Sequence, residues 1–170
     1  MAKKKSIPDK KKHAVIPDSY PQLIKELKEK VRTAQARAHL SVNREMIKLY
    51  WEIGKTIVEK QKGEKWGTKV IEKIGEDLQK ELPGIEGFSR RNIFRMRAFY
   101  MSYQIVPQTV ALLEDLPIFH IPWGHNAVLI EKLKDTKTRL WYAQKTIQHG
   151  WSRSVLEAWI DSDLHKREGH

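Results

Sequence analysis

The chain has 170 residues and a net charge of +11, from 32 basic and 21 acidic side chains. That length is expected to form one domain with an ordinary hydrophobic core, and the charge favours a polyanion or an acidic surface as partner. There are no cysteines, which excludes disulfides, thiolate chemistry and Cys-based zinc sites.

Residues 1–17 open the chain with Lys3, Lys4, Lys5, Lys10, Lys11 and Lys12 against Asp9, a balance of +5 that leaves +6 on the rest. This stretch is expected to be a disordered basic tail able to add phosphate affinity without sequence preference. No hydrophobic segment follows it, so it does not read as a secretory signal. No apolar run reaches the ~18 residues of a membrane span. A cytoplasmic protein without membrane contact is the expectation.

Residues 18–170 are expected to form one helical domain. From Tyr20 an apolar series runs through Leu23, Leu27, Val31, Ala34, Ala38, Val42, Met46, Leu49, Ile53 and Ile57. Steps of three and four sustained this long predict helix. A compact domain of this size could bury such a stripe only if it broke near Ser41 and Asn43, both of which read as caps. Otherwise it projects and pairs with a second copy, and a homodimer is the expectation.

Residues 68–103 read as a helix-turn-helix unit. Val70, Ile71, Ile74 and Leu78 mark one face of the first helix, leaving Lys69, Glu72, Lys73, Glu76 and Asp77 to water. Pro83, Gly84 and Gly87 stop it. Ser89 is placed to cap the second helix, where Ile93, Met96 and Tyr100 point inward. Arg90, Arg91, Asn92 and Arg95 are left on its start and outer face. Cations at a helix N-terminus oppose the macrodipole, so arginines there make better sense beside DNA. Arg91 and Asn92 suit base edges. Arg90, Arg95, Lys69 and Arg153 suit phosphates, and the Ser89-capped end can offer its amides to one.

After Tyr103 the periodicity fades, and residues 104–122 read as a loop with one short helix, a hairpin remaining an alternative. Helical spacing returns at Ala127, Leu129, Ile130 and Leu133, then over 136–148 and 152–164. The fold class is therefore all-α, a helix-turn-helix-containing domain with a long N-terminal helical region. Gly87-Phe88-Ser89-Arg90 is echoed by Gly150-Trp151-Ser152-Arg153. Each pairs a glycine stop, an aromatic staple and a serine cap, which is efficient corner chemistry whether or not a ligand is involved.

Several strings together carry a family resemblance. They are Asn43 with Leu49-Tyr50-Trp51-Glu52-Ile53-Gly54, Trp66-Gly67 with Val70-Ile71, Gly87-Phe88-Ser89 with Asn92, and Met96-Arg97-x-Phe99-Tyr100. Ile121-Pro122-Trp123-Gly124-His125-Asn126, Arg139-x-Trp141-Tyr142 and Gly150-Trp151-Ser152 complete the set. In this order and spacing, over about residues 20–168, they resemble the N-terminal domain of the YhcG family of bacterial proteins. The resemblance implies a helical DNA-binding domain that precedes a nuclease domain of the PD-(D/E)xK type. That nuclease domain would be expected after His170, and its catalytic residues have no positions here. The chain is thus expected to be no enzyme itself, with DNA and a linked or partner nuclease as partners.

Competing chemistries are weaker. Pro17-Asp18 with Glu26-Leu27-Lys28 imitates a nuclease string, but Glu26 and Lys28 point in different directions on a helix. His120 and His125 share no helical face and lack a third ligand, so no metal or cofactor is expected, and His125 reads as a capping or packing residue. Trp51, Trp141 and Trp159 read as core, and Trp66 and Trp151 as staples, against base stacking on single strands. The rival function is a helical protein-interaction module using the apolar stripe and the Trp123 loop. It gains if Arg90, Arg91, Arg95 and Arg153 scatter over the surface and pair with carboxylates.

Overall fold

A computed structural model describes residues 17–64, 66–104 and 115–168. The expected tail over residues 1–17, apart from Pro17, and residues 105–114 of the 104–122 segment lie outside the described residues. Helices are α1 (Tyr20–Glu64), α2 (Thr68–Glu81), α3 (Arg90–Tyr103), α4 (Trp123–Lys132), α5 (Thr136–His149), α6 (Arg153–Asp161) and α7 (Leu164–Arg167), with a 3-10 turn at Pro117–Phe119. Among the described residues there is no strand, and the fold is all-α. The chain divides into two compact units, Met1–Ala38 and His39–His170.

Within the first unit, Tyr20, Leu23, Leu27 and Val31 are exposed on α1. The break anticipated near Ser41 and Asn43 does not occur, and α1 runs through both as one helix. No Gly or Pro stands there to stop it. Asn43, read as a cap, instead donates its amide to the Ile121 carbonyl at 3.2 Å.

In the second unit α1 buries Ile47, Tyr50, Trp51, Gly54, Ile57 and Val58. That set keeps steps of three and four but sits beside the face marked by Val42, Met46 and Leu49, which stay exposed. One core cluster gathers Trp51, Phe99, Tyr103, Phe119, Leu129, Tyr142 and Leu156. Trp51 meets Tyr100 and Phe99 edge-on at 5.0 and 5.5 Å, the geometry that ring quadrupoles favour. A second cluster joins Tyr50, Ile57, Ile71, Phe88, Ile93 and Met96. The half-buried Trp123 packs against both. Two tryptophans depart from their expected place in the core: Trp159 is exposed, and Trp141 is half-buried with Lys145 over its ring. Val70 is likewise exposed while Ile71 faces inward.

The helix expected over 152–164 ends at Asp161, and the short α7 starts at Leu164, because Asp163 adopts the left-handed region at φ 53° between them. The Tyr142 hydroxyl fixes this bend by donating to the Trp159 carbonyl at 3.1 Å.

Helices α1 and α3 approach so closely at Gly54 that an added Cβ would lie 2.1 Å from the Met96 carbonyl oxygen. Only glycine fits, since backbone cannot yield as a side chain tip can. Gly54→Ala is expected to lower stability by about 1–3 kcal/mol, the usual range for overpacking. Gly63→Ala, where nothing lies within 4 Å, should leave the urea midpoint unchanged or slightly raised. Equal midpoints for the two variants would refute the close crossing.

Candidate nucleic-acid interface

Ser89 does cap α3, its hydroxyl accepting from the Asn92 amide at 3.3 Å, and Ser152 caps α6 by accepting from Val155 at the same distance. The glycines before them, Gly87 at φ 101° and Gly150 at φ 62°, occupy conformations that L side chains rarely adopt. An added Cβ at Gly87 would also strike the Tyr50 hydroxyl at 2.3 Å. The aromatic residues between glycine and serine turn inward, Phe88 fully and Trp151 partly.

Both corners are tied to the first turn of α4. At the first corner the Trp123 indole donates to Asn92 Oδ1 at 2.7 Å, while Asn92 Nδ2 donates to the Gly87 carbonyl at 2.5 Å. At the second, His125 Nε2 lies 2.8 Å from the Trp151 carbonyl, so that nitrogen carries the proton and donates. His125 is thus the packing residue that its position suggested. Between Trp123 and His125, Gly124 lies against Arg153, an added Cβ meeting its Cδ at an ordinary 3.5 Å.

The starts of α3, α4 and α6 therefore converge. They enclose a cleft of about 410 Å³ lined by Arg91, Asn92, Arg95, Trp123, Glu131 and Arg153, among others. Arg91 is 77% exposed and stands 3.9 Å from Glu131; Arg153 is 66% exposed and 3.8 Å from Glu157. Arg95 is held more firmly, with its Nε and one terminal nitrogen 2.7 and 2.6 Å from Glu131 Oε1. Arg90 faces the other way and pairs with Glu72 of α2, which is not left to water as its helical position suggested. Lys69 is exposed in the first turn of α2.

Asn92 departs from its expected role at base edges. It is buried, and its amide is occupied by Gly87 and Trp123. Helical spacing gives the reason, since Asn92, Met96, Phe99 and Tyr103 follow steps of four, three and four along the inward face. Burial pushes the Tyr50 hydroxyl above its ordinary pKa, and its hydrogen bond with Asn92 pulls the other way. A neutral phenol thus closes the same corner.

Sequence reasoning found Ser89, Arg91, Arg95 and Arg153 but missed Glu131 and Glu157. Glu131 has no local mark, because it meets Arg95 across 36 positions, whereas Glu157 stands four residues from Arg153 at a pairing distance that the helix itself provides. The expected helix-turn-helix also differs in its connection. Eight residues, Leu82 to Ser89, separate α2 from α3, against a turn of roughly three or four in DNA-binding helix-turn-helix units. Beyond the first turn, α3 exposes only Met101 among its helical residues. No group of three or more His, Cys, Asp or Glu side chains able to hold a metal occurs among the described residues. No described helix is long and apolar enough to cross a membrane.

The sequence profile of the DUF1016 N-terminal domain matches residues 26–167. Among curated proteins, the chain is 27% identical over 164 residues to the Escherichia coli (strain K12) protein named "Putative nuclease YhcG", covering 81% of this chain and 43% of that protein. The chain thus spans less than half the length of this relative. No solved structure gives a significant match.

Asn92→Ala would leave the Trp123 indole N–H and the Gly87 carbonyl without their partner. A loss of about 1–3 kcal/mol is expected, the cost of stranding a buried polar group. Urea denaturation measures it, and Ser89→Ala should cost about 1 kcal/mol by loss of the cap. An Asn92→Ala variant as stable as the parent would refute the hydrogen-bonded corner.

Proposed function

Because the chain belongs to the DUF1016 N-terminal domain family, one of whose relatives carries a nuclease name, we propose that it is a non-catalytic DNA-binding domain that targets a linked or partner nuclease. The observation that carries this reading is the convergence of Arg91 and Arg153, from two serine-capped first turns, on one cleft. Both guanidinium groups are exposed and only loosely paired. Exposed ion pairs of that kind contribute ~0–1 kcal/mol, so a phosphate displaces the carboxylates at small cost. Helix N-termini add amide donors and a favourable dipole for the same anion. The net charge of +11 supplies long-range attraction.

In this reading Arg91 and Arg153 hold backbone phosphates, and Arg90 at the start of α3 and Lys69 in α2 add phosphate contacts outside the cleft. Arg95 keeps Glu131 and α4 in place, while Ser89 and Asn92 set the start of α3. The domain works as a helix-turn-helix in the sense that matters for contact, by presenting the first turn of its second helix. The nuclease connection rests on the resemblance and on the relative's name, and its PD-(D/E)xK type on the resemblance alone. The cytoplasm is the compartment this role requires.

A second reading has one observation behind it. Arg90, Arg91, Arg95 and Arg153 each have a carboxylate partner, which is what a helical protein-interaction module without DNA contact would display.

A salt titration of binding to duplex, single-stranded and branched DNA separates the two. Arg91→Ala with Arg153→Ala should reduce the magnitude of the log-affinity slope by up to about two units, one for each phosphate left without its arginine. Gly124→Leu, which fills the cleft beside Arg153, should weaken binding while the far-ultraviolet circular dichroism stays unchanged. An unaltered slope and affinity in the folded double variant would remove the cleft. Absence of binding by the parent at low salt would favour the interaction module.

A further inference from the structure

The first unit of the chain carries an apolar face that no described residue covers. Tyr20, Leu23, Leu27 and Val31 are between 44% and 55% exposed on α1, and Ile24 between them is half-buried. Taken as a heptad, Tyr20, Leu27 and Ala34 fall at d positions, and Ile24, Val31 and Ala38 at a positions. Ile24 and Val31 at a with Leu27 at d match the combination that parallel two-stranded coiled coils prefer, and alanine fills the last d and a. The acids lie elsewhere on the helix. Glu26 takes a hydrogen bond from Gln22 at 3.2 Å, and Glu29 pairs with Arg32 at 3.4 Å, both within one chain.

We propose that residues 20–38 pair with the same residues of a second copy as a parallel, in-register two-stranded coiled coil. The flanking residues decide the direction. In a parallel pair each g position faces the e position five residues further along the other helix. Leu23 then lies beside Lys28, and Lys30 beside Gln35, so no cation faces a cation. An antiparallel pair that keeps the same apolar layers would set Lys28 against Lys28 and Lys30 against Lys30. Like charges at such positions are destabilising, which selects the parallel arrangement. The stripe is complementary to itself, and small Ala34 and Ala38 let the two backbones stay close.

The chain has no cysteine, so an introduced thiol reports on one site alone. The full chain should sediment as a dimer at high micromolar concentration. Leu27→Glu with Val31→Glu should sediment as a monomer with unchanged helical circular dichroism. Leu27→Cys should give a disulfide-linked dimer under mild oxidation, because parallel d positions face each other. Glu29→Cys, on the outer face, should give little. A monomeric parent would overturn the proposal, including one that binds an added acidic amphipathic peptide through this stripe. So would a dimer indifferent to Leu27→Glu with Val31→Glu, or equal cross-linking through positions 27 and 29.

Discussion

The first turn of α4 is the constraint on which the candidate interface depends. Trp123 donates to Asn92 in one glycine-serine corner, and His125 donates to the Trp151 carbonyl in the other. Each corner is anchored to this turn separately, so their relative geometry is set through α4. The two bonds differ in kind, one from indole to side-chain amide and one from imidazole to backbone, yet both occupy groups that burial would otherwise leave costly. With α4 seated in this way, Arg91 and Arg153 are brought to the same cleft although 62 positions separate them in sequence.

The same packing explains why this interface is a cluster of helix ends rather than a helix face. α3 contributes to both core clusters, so most of its circumference is taken up by neighbours. Its close approach to α1 at Gly54 takes one side, and Arg95 with Glu131 closes another. What stays accessible is the first turn, where backbone amides lack helical partners. Arginines are unfavourable for the helix dipole there, and their carboxylate neighbours soften that cost. The same carboxylates lower the net positive charge of the cleft. Contact with a polyanion would therefore exchange one set of weak ion pairs for another.

Local features were legible because local chemistry fixes them. The serine caps, the glycine stops with positive φ and the inward aromatic residues all depend on neighbours within a few positions. Long apolar periodicity likewise announced helices, and α4 and α5 fall where that spacing returns. Misreadings arose where a polar side chain serves a distant contact. Asn43 looked like a cap and proves to bond Ile121, and Asn92 looked like a reader of bases and proves to brace Trp123. Both amides carry donors and acceptors that local rules treat as signals of helix ends or exposed contacts.

By itself the sequence determined an all-α chain, its corners, its basic character and the family resemblance, because composition, capping and periodicity act over short distances. Tertiary structure alone decided which side of α1 is buried. The stripe from Val42 to Leu49 stays exposed because α3 packs against the neighbouring face through Tyr50, Trp51 and Gly54. It also decided that Arg91, Arg95 and Arg153 share a cleft with Glu131 and Glu157 while Arg90 stands apart with Glu72. Such groupings depend on how helices cross, and a crossing is set by side-chain volumes and close backbone approaches from segments far apart in the chain.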